Sequence, residues 1–204
     1  RTADNDNTFY KTRNLGLTTG IGFPVGEQAD LGLRLRYSDD KLYEVTADSS
    51  PILQAEDDIP ALRTLSLGYS YEYDNRITGL NPKGGVLLRF SQDYAGFSAD
   101  TNYLETGIFA LAETKVLNEE MTIRAIFEGG VINSLGGTTS RVTERYFGRN
   151  KIRGFEPNGI GPRDLGSVNQ DALGGNYFAA ARFEADFPLG LPEEYGITGG
   201  AFLD

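Results

Sequence analysis

A two-residue alternation runs through most of this chain, and any fold has to satisfy it first. From 62 to 74 the odd positions read Arg63, Leu65, Leu67, Tyr69, Tyr71 and Tyr73. The even positions after Leu62 read Thr64, Ser66, Gly68, Ser70, Glu72 and Asp74. Successive side chains of an extended strand point to opposite faces, so a period of two writes one apolar face and one polar face.

The pattern recurs. In 176–187 Tyr177, Ala179, Ala181, Phe183, Ala185 and Phe187 oppose Arg182, Glu184 and Asp186. In 29–39 Leu31, Leu33, Leu35 and Tyr37 oppose Asp30, Arg34, Arg36 and Ser38. Further segments at 15–23, 86–94, 102–117, 121–131 and 195–204 bring the expected total to eight consecutive strands. None keeps the three-and-four spacing of an amphipathic helix, so no helix is expected. Many exceed the usual ~5–6 residues of a globular strand and approach the ~9–11 that a tilted strand needs to cross a bilayer.

The connections are sorted as well. Short turns are expected at 25–28, 76–83, 118–120 and 189–194, and long segments before Tyr10, at 46–61 and at 136–175, with 96–101 a shorter member of the second set. Short turns on one rim and long loops on the other characterise outer-membrane β-barrels. Aromatic residues near strand ends (Phe23, Tyr37, Tyr73, Tyr94, Tyr103, Tyr177, Phe187, Tyr195) suit interfacial girdles. Ordinary cross-strand packing is the competing account of them.

Composition agrees once alternation is allowed for. The 204 residues carry a net charge of −10 with no Cys and no His, and mean hydropathy is −0.34. Absent Cys excludes disulfides, thiolate metal sites and cysteine nucleophiles. Absent His removes the commonest general base and metal ligand. The acid excess argues against a nucleic-acid partner. Low average hydropathy does not argue against a membrane, because only alternate barrel residues face lipid.

The segment 136–175 is too apolar for a solvated loop: it holds Tyr146, Phe147, Ile152, Phe155, Ile160 and Leu165, stiffened by Pro157 and Pro162. An eight-stranded barrel has a lumen already filled by side chains, so this loop calls for a larger one. At its centre lies Lys151-Ile152-Arg153-Gly154-Phe155-Glu156-Pro157-Asn158-Gly159-Ile160-Gly161-Pro162-Arg163-Asp164. This run resembles the lumen loop of the BamA family of outer-membrane barrel-assembly factors, whose hallmark is an aliphatic-Arg-Gly-Phe or Tyr core. Tyr73-Asp74-Asn75-Arg76 with Pro82-Lys83-Gly84-Gly85 resembles a hairpin of the same family, and Gly174-Gly175-Asn176 through Pro188 its strand returning from the lumen. Tyr146-Phe147-Gly148-Arg149-Asn150 departs from the family's aromatic-x-Gly-Gly approach to the motif.

The resemblance implies an all-β, antiparallel transmembrane β-barrel, of which 1–204 would be about eight consecutive meander strands out of sixteen, cut at both ends, with 136–175 as lumen loop. The gate strands and periplasmic repeats would lie outside it. It implies residence in a Gram-negative outer membrane and a role in folding and inserting barrel proteins, with no covalent chemistry, cofactor or metal. The implied partners are outer-membrane lipids, unfolded outer-membrane clients and accessory assembly lipoproteins. The implied site is Ile152, Arg153, Gly154, Phe155, Gly159, Gly161, Pro162, Arg163 and Asp164, with Arg153 paired to wall carboxylates at Glu184 and Asp204. Alternation alone already puts both acids on the polar face of their strands. Gly154 is expected to allow a tight turn, and Phe155 to wedge the loop against the wall.

Other constellations carry less. Asp4-Asn5-Asp6-Asn7 and Glu56-Asp57-Asp58 lack the glycine and distal Glu of a calcium loop and read as solvated acids. Gly20, Gly22 and Gly26 lie in a strand with no helix after it, so they form no dinucleotide loop. Glu72, Asp74, Glu128 and Asp186 read as the lining of a wet lumen rather than an acid–base site. Competing readings of the whole chain are a two-partner-secretion pore, a passive porin-like barrel or a soluble β-adhesin.

Overall fold

A computed structural model describes residues 2–4, 10–77, 84–97, 101–117, 120–148, 151–190, 195 and 197–204. The expected features at Asn5, Asp6, Asn7, Pro82, Lys83, Arg149 and Asn150, and the turns at 118–119 and 191–194, lie outside the described residues.

One antiparallel meander forms the body. In chain order the strands are β1 (Thr2–Asp4), β2 (Lys11–Gly26), β3 (Ala29–Tyr43), β4 (Leu62–Asp74), β5 (Gly85–Ala95), β6 (Tyr103–Val116), β7 (Met121–Ser134), β8 (Tyr177–Pro188) and β9 (Thr198–Leu203). Spatial order equals sequence order, so every strand pairs with its chain neighbours. The eight expected strands are β2–β9; the three-residue β1, which pairs with the start of β2, was not anticipated. Strands of 16, 15, 13, 14 and 14 residues (β2, β3, β4, β6, β7) are long enough to span a bilayer when tilted.

The register keeps the two faces separate. Leu17 lies opposite Tyr37 and Tyr37 opposite Leu65; Leu33 lies opposite Tyr69 and Tyr69 opposite Gln92. A slip of one residue would turn every apolar side chain into the polar face. The apolar face is uncovered by any second layer: Leu17 is 71% exposed, Ile21 67%, Leu67 52% and Tyr71 41%. A water-soluble sandwich would bury such a face; a barrel wall presents it to lipid. Tyr37, Tyr94, Tyr177 and Tyr195 are exposed, as a girdle requires. Tyr103 is a correction. It shares parity with Glu105 and lines a polar-side cleft beside Arg141 and Glu144, because the outward positions of β6 are even-numbered.

The polar face is cross-linked by ion pairs. Arg34 binds Asp93 across two strands, Arg89 meets Glu72 at 2.6 Å, and Arg124 joins Glu113 at 2.5 Å and Asp186. Gly68 leaves the room that the Arg34–Asp93 pair occupies: a Cβ there would sit 2.0 Å from Asp93 Oδ1.

Among the described residues, a buried apolar cluster lies where the loops meet the end of β3. Tyr10, Leu42, Leu53, Val142 and Leu173 form it, with Val45 and Phe147 packed against them. Leu53 belongs to a short helix, α1 (Pro51–Asp58), inside the segment expected to be a plain loop. Ser50 is its N-cap and Pro51 opens its first turn, a combination that favours helix initiation. Its start is held from far along the chain. Ser50 N donates to Asp171 at 2.7 Å, and Ser50 Oγ donates to Asp164 at 2.6 Å.

Candidate functional site

The long segment 136–175 folds back against the polar face of the sheet instead of extending from it. Its first attachment is Tyr146, which pairs in an isolated bridge with Gly175. The Tyr146 hydroxyl donates to Glu105 on β6 at 2.8 Å, and its ring meets Phe178 on β8 edge-on at 4.7 Å. Gly130 on β7 makes this possible, since a Cβ there would lie 2.7 Å from the Tyr146 oxygen and 2.8 Å from Phe178. Burial, and then the bond to Glu105, push the Tyr146 hydroxyl pKa well above the usual tyrosine range.

The second attachment is Lys151. Its ammonium lies 2.6 Å from Glu128 on β7 and 4.8 Å from the centre of the Phe178 ring. Glu128 also takes Arg182 of β8 at 3.0 Å, so one carboxylate serves two cations. Lys151 was absent from the expected site. The parity of Glu128 was legible, but nothing local said which loop cation would reach it.

Arg153 is the third attachment. Its backbone N–H and its Nε both donate to Asp204 Oδ2, at 2.9 and 2.8 Å, and a terminal nitrogen reaches Oδ1 at 2.5 Å. The other terminal nitrogen lies 2.9 Å from Glu184 on β8. The guanidinium stacks 3.9 Å over Phe202 on β9. Planar, multidentate recognition of this kind is available to Arg and not to Lys. Glu184 is in turn 4.0 Å from Arg124, which links the loop to the ion-pair ladder of the wall.

The rest of the motif divides. Ile152 is half-buried. Gly154 has φ +83°, a left-handed conformation that suits glycine. Phe155 is 60% exposed and does not wedge the loop. The backbone turns at Gly154, directly after Arg153, and the ring in contact with Arg153 is Phe202 instead. Gly159 closes a turn by donating to Glu156 O at 2.8 Å, and Gly161 adopts φ +124°.

Pro162, Arg163 and Asp164 build a small hairpin rather than a wall contact. Leu173 N donates to Pro162 O, and Asp164 N to Asp171 O, both at 2.9 Å. Arg163 donates to the carbonyls of Asn158 at 2.5 Å and Gln170 at 2.9 Å. Asp164 accepts from Ser50 and from Gly166 N, and these bonds hold its carboxyl pKa below the usual range. The motif thus grips the wall at one end and α1 at the other. A further contact supports α1: Glu56 takes Arg141 Nε at 2.8 Å and Val142 N at 3.2 Å. The expected reading of Glu56 as a solvated acid is corrected, since it is 8% exposed and spent on these partners.

Among the described residues no group of acids is arranged to hold a metal. No helix there is long and apolar enough to cross a membrane. The geometry provides a loop fixed to β6, β7, β8 and β9 by directional charged contacts.

Known proteins are similar to this chain. The chain is 28% identical over 198 residues to the outer membrane protein assembly factor BamA of Neorickettsia risticii (strain Illinois), a match covering 97% of this chain and 26% of that protein. It is 30% identical over 140 residues to the sorting and assembly machinery component 50 homolog of Bos taurus, covering 67% of this chain and 29% of that one. The crystal structure of BamA from Haemophilus ducreyi lacking POTRA domains 1-3 superposes with a TM-score of 0.76 at 22% identity, covering 95% of this chain and 41% of that one. The meander therefore has the fold of a stretch of transmembrane barrel wall. The chain spans between about a quarter and a third of the length of these curated relatives. The Omp85 superfamily domain matches it from residue 1 to residue 204, and the chain belongs to that superfamily.

Proposed function

We propose that this chain is the fixed wall and lumen loop of an outer-membrane barrel-assembly factor, which folds β-barrel clients and inserts them into the outer membrane of a Gram-negative bacterium. The reading rests on one observation above all: Arg153, inside Ile152-Arg153-Gly154-Phe155, holds Asp204 and Glu184 together from a loop lying on the polar face. The match to a BamA over 97% of the chain supports it. The work is mechanical. A seam elsewhere in the barrel opens, a client strand pairs with the exposed edge, and local disturbance of the bilayer lowers the insertion barrier. The wall described here keeps the barrel shape while that happens, because an unpaired strand edge in lipid is costly. Unfolded outer-membrane proteins are the clients, outer-membrane lipids the solvent, and assembly lipoproteins the accessory partners.

The test is client insertion into lipid vesicles by the full-length protein. Arg153→Ala should abolish most of the acceleration while the protein stays in the membrane. Full acceleration by that variant, or export of unfolded polypeptide without insertion, would overturn the reading.

A further inference from the structure

The described outward face of the sheet carries cations in one place only. Among the described strand residues, the outward parity positions hold Lys11 and Arg13 on β2, Lys41 on β3 and Arg63 on β4, and no other Lys or Arg. The remaining strand cations (Arg34, Arg36, Arg89, Lys115, Arg124 and Arg182) all have the parity of the polar face. The four outward cations are neighbours. Arg13 lies opposite Lys41, and Arg63 opposite Asp39. Asp39 holds the two arginines together, with Arg13 at 3.1 Å and Arg63 at 3.6 Å. Within β2–β9 it is the only acid at an outward position among the described residues, and Asp4 of β1 lies opposite Lys11. Both arginines remain open to the surroundings, with side chains 55% and 67% exposed. Lys11 adds a partly exposed ammonium beside Glu44, and Lys41 turns to the carbonyls of Asp57 and Ile59.

Position along the strands matters as much as charge. The cluster lies at the long-loop rim, one step beyond the outward Leu15, Tyr37 and Leu65. At the same rim of the other strands the outward residues are Tyr94, Leu104, Asn133 and Tyr177, which are uncharged. Two guanidiniums held side by side at the top of an apolar belt match a phosphate group at headgroup depth. They do so in a chain whose net charge is −10, so a general basic character does not account for them.

We infer that Arg13 and Arg63, aligned by Asp39 and reinforced by Lys11 and Lys41, form a binding site for the phosphate groups of an anionic lipid in the leaflet on the long-loop side. This rests on the barrel spanning a membrane as proposed above. Bound lipid would tie β2–β4 to that leaflet and leave the outward faces of β5–β8 free of such a tie. Asp39 is a positioning residue here: it aligns the arginines and offsets part of their charge.

The experiment uses the full-length protein in phosphatidylcholine nanodiscs doped with phosphorylated lipid A or with its dephosphorylated form, and counts retained lipid A by native mass spectrometry. The phosphorylated form should be retained preferentially. Arg13→Gln with Arg63→Gln should cut that preference by roughly tenfold or more, as expected for two charges at an anionic surface. Asp39→Asn, which keeps an oxygen acceptor between the arginines and removes only the charge that offsets them, should raise it. Millimolar inorganic phosphate should not compete, since the site needs the lipid anchor. Equal retention of both lipids, an unchanged preference in the double variant, or full competition by free phosphate would each overturn the site. Heat-modified mobility and client insertion, measured alongside, should be unchanged in both variants. A protein that enters no vesicle of any composition would overturn the membrane reading itself, and the site with it.

Discussion

Arg153 and Asp204 are joined three times over, through the Arg153 backbone N–H at 2.9 Å, Nε at 2.8 Å and a terminal nitrogen at 2.5 Å. The two residues are 51 positions apart, and Asp204 is almost sealed, its side chain 4% exposed. A contact that uses both main chain and side chain of one residue fixes orientation as well as distance.

That double use predicts a graded response. Arg153→Ala in the full-length protein should loosen the loop and weaken the heat-modified gel shift of the folded barrel. Arg153→Lys should keep part of the shift, because an ammonium supplies the charge without the fork. Arg153→Lys indistinguishable from wild type would show that charge alone matters, and Arg153→Lys as weak as Arg153→Ala that the fork carries the contact.

Lys151 should prove to be a second, independent anchor. Lys151→Glu faces Glu128 with a like charge and should raise amide exchange severalfold across 151–160. Lys151→Arg keeps a cation opposite Glu128, leaves the Arg182–Glu128 pair intact, and should hold exchange near the wild-type rate. Lys151→Glu exchanging no faster than wild type would mean that Lys151 does not register the loop.

The helix α1 depends on a nearly buried pair. Glu56→Ala leaves Arg141 without its carboxylate partner and Val142 N without an acceptor. Breaking such a pair costs about 3 kcal/mol. Proteolysis of 136–175 should accelerate accordingly, with Glu56→Gln intermediate because an amide oxygen can still accept from Val142.

Acid should release the clamp between α1 and the motif hairpin. The Asp164 carboxyl pKa is lowered chiefly by the bond from Ser50. A carboxyl with a lowered folded pKa contributes stability that is present above its unfolded value of about 3.9 and is lost as pH falls through the folded one. Amide exchange in 50–58, corrected for its intrinsic pH dependence, should therefore rise below about pH 4. In Asp164→Asn that acid-dependent rise should shrink. A rise that is unchanged in the variant would assign the transition to another group.

The extent to which this protein was legible in its sequence follows from the range of the forces involved. The strands, their order and their faces were legible because alternation is local and repeats along every strand. Tyr69 and Tyr71 look outward for the same reason that Arg34 and Glu184 look inward. The polar parity of Glu184 was legible in the same way, whereas the Ile152–Phe155 motif was read from its resemblance to a known family's loop. Tyr103 was misread, since its nearness to a strand end outweighed its parity. The helix α1 left a weak local signal in Ser50-Pro51, but its cap is completed by Asp164 and Asp171, 114 and 121 residues away. Lys151 needed Glu128, and the outward cations needed the register of β2–β4 to become one cluster. Alternation by itself therefore determined a wall with an apolar and a polar side. Only the tertiary structure decided which charges meet across it, because ion pairs between distant segments depend on loop closure and strand register, and neither is encoded locally.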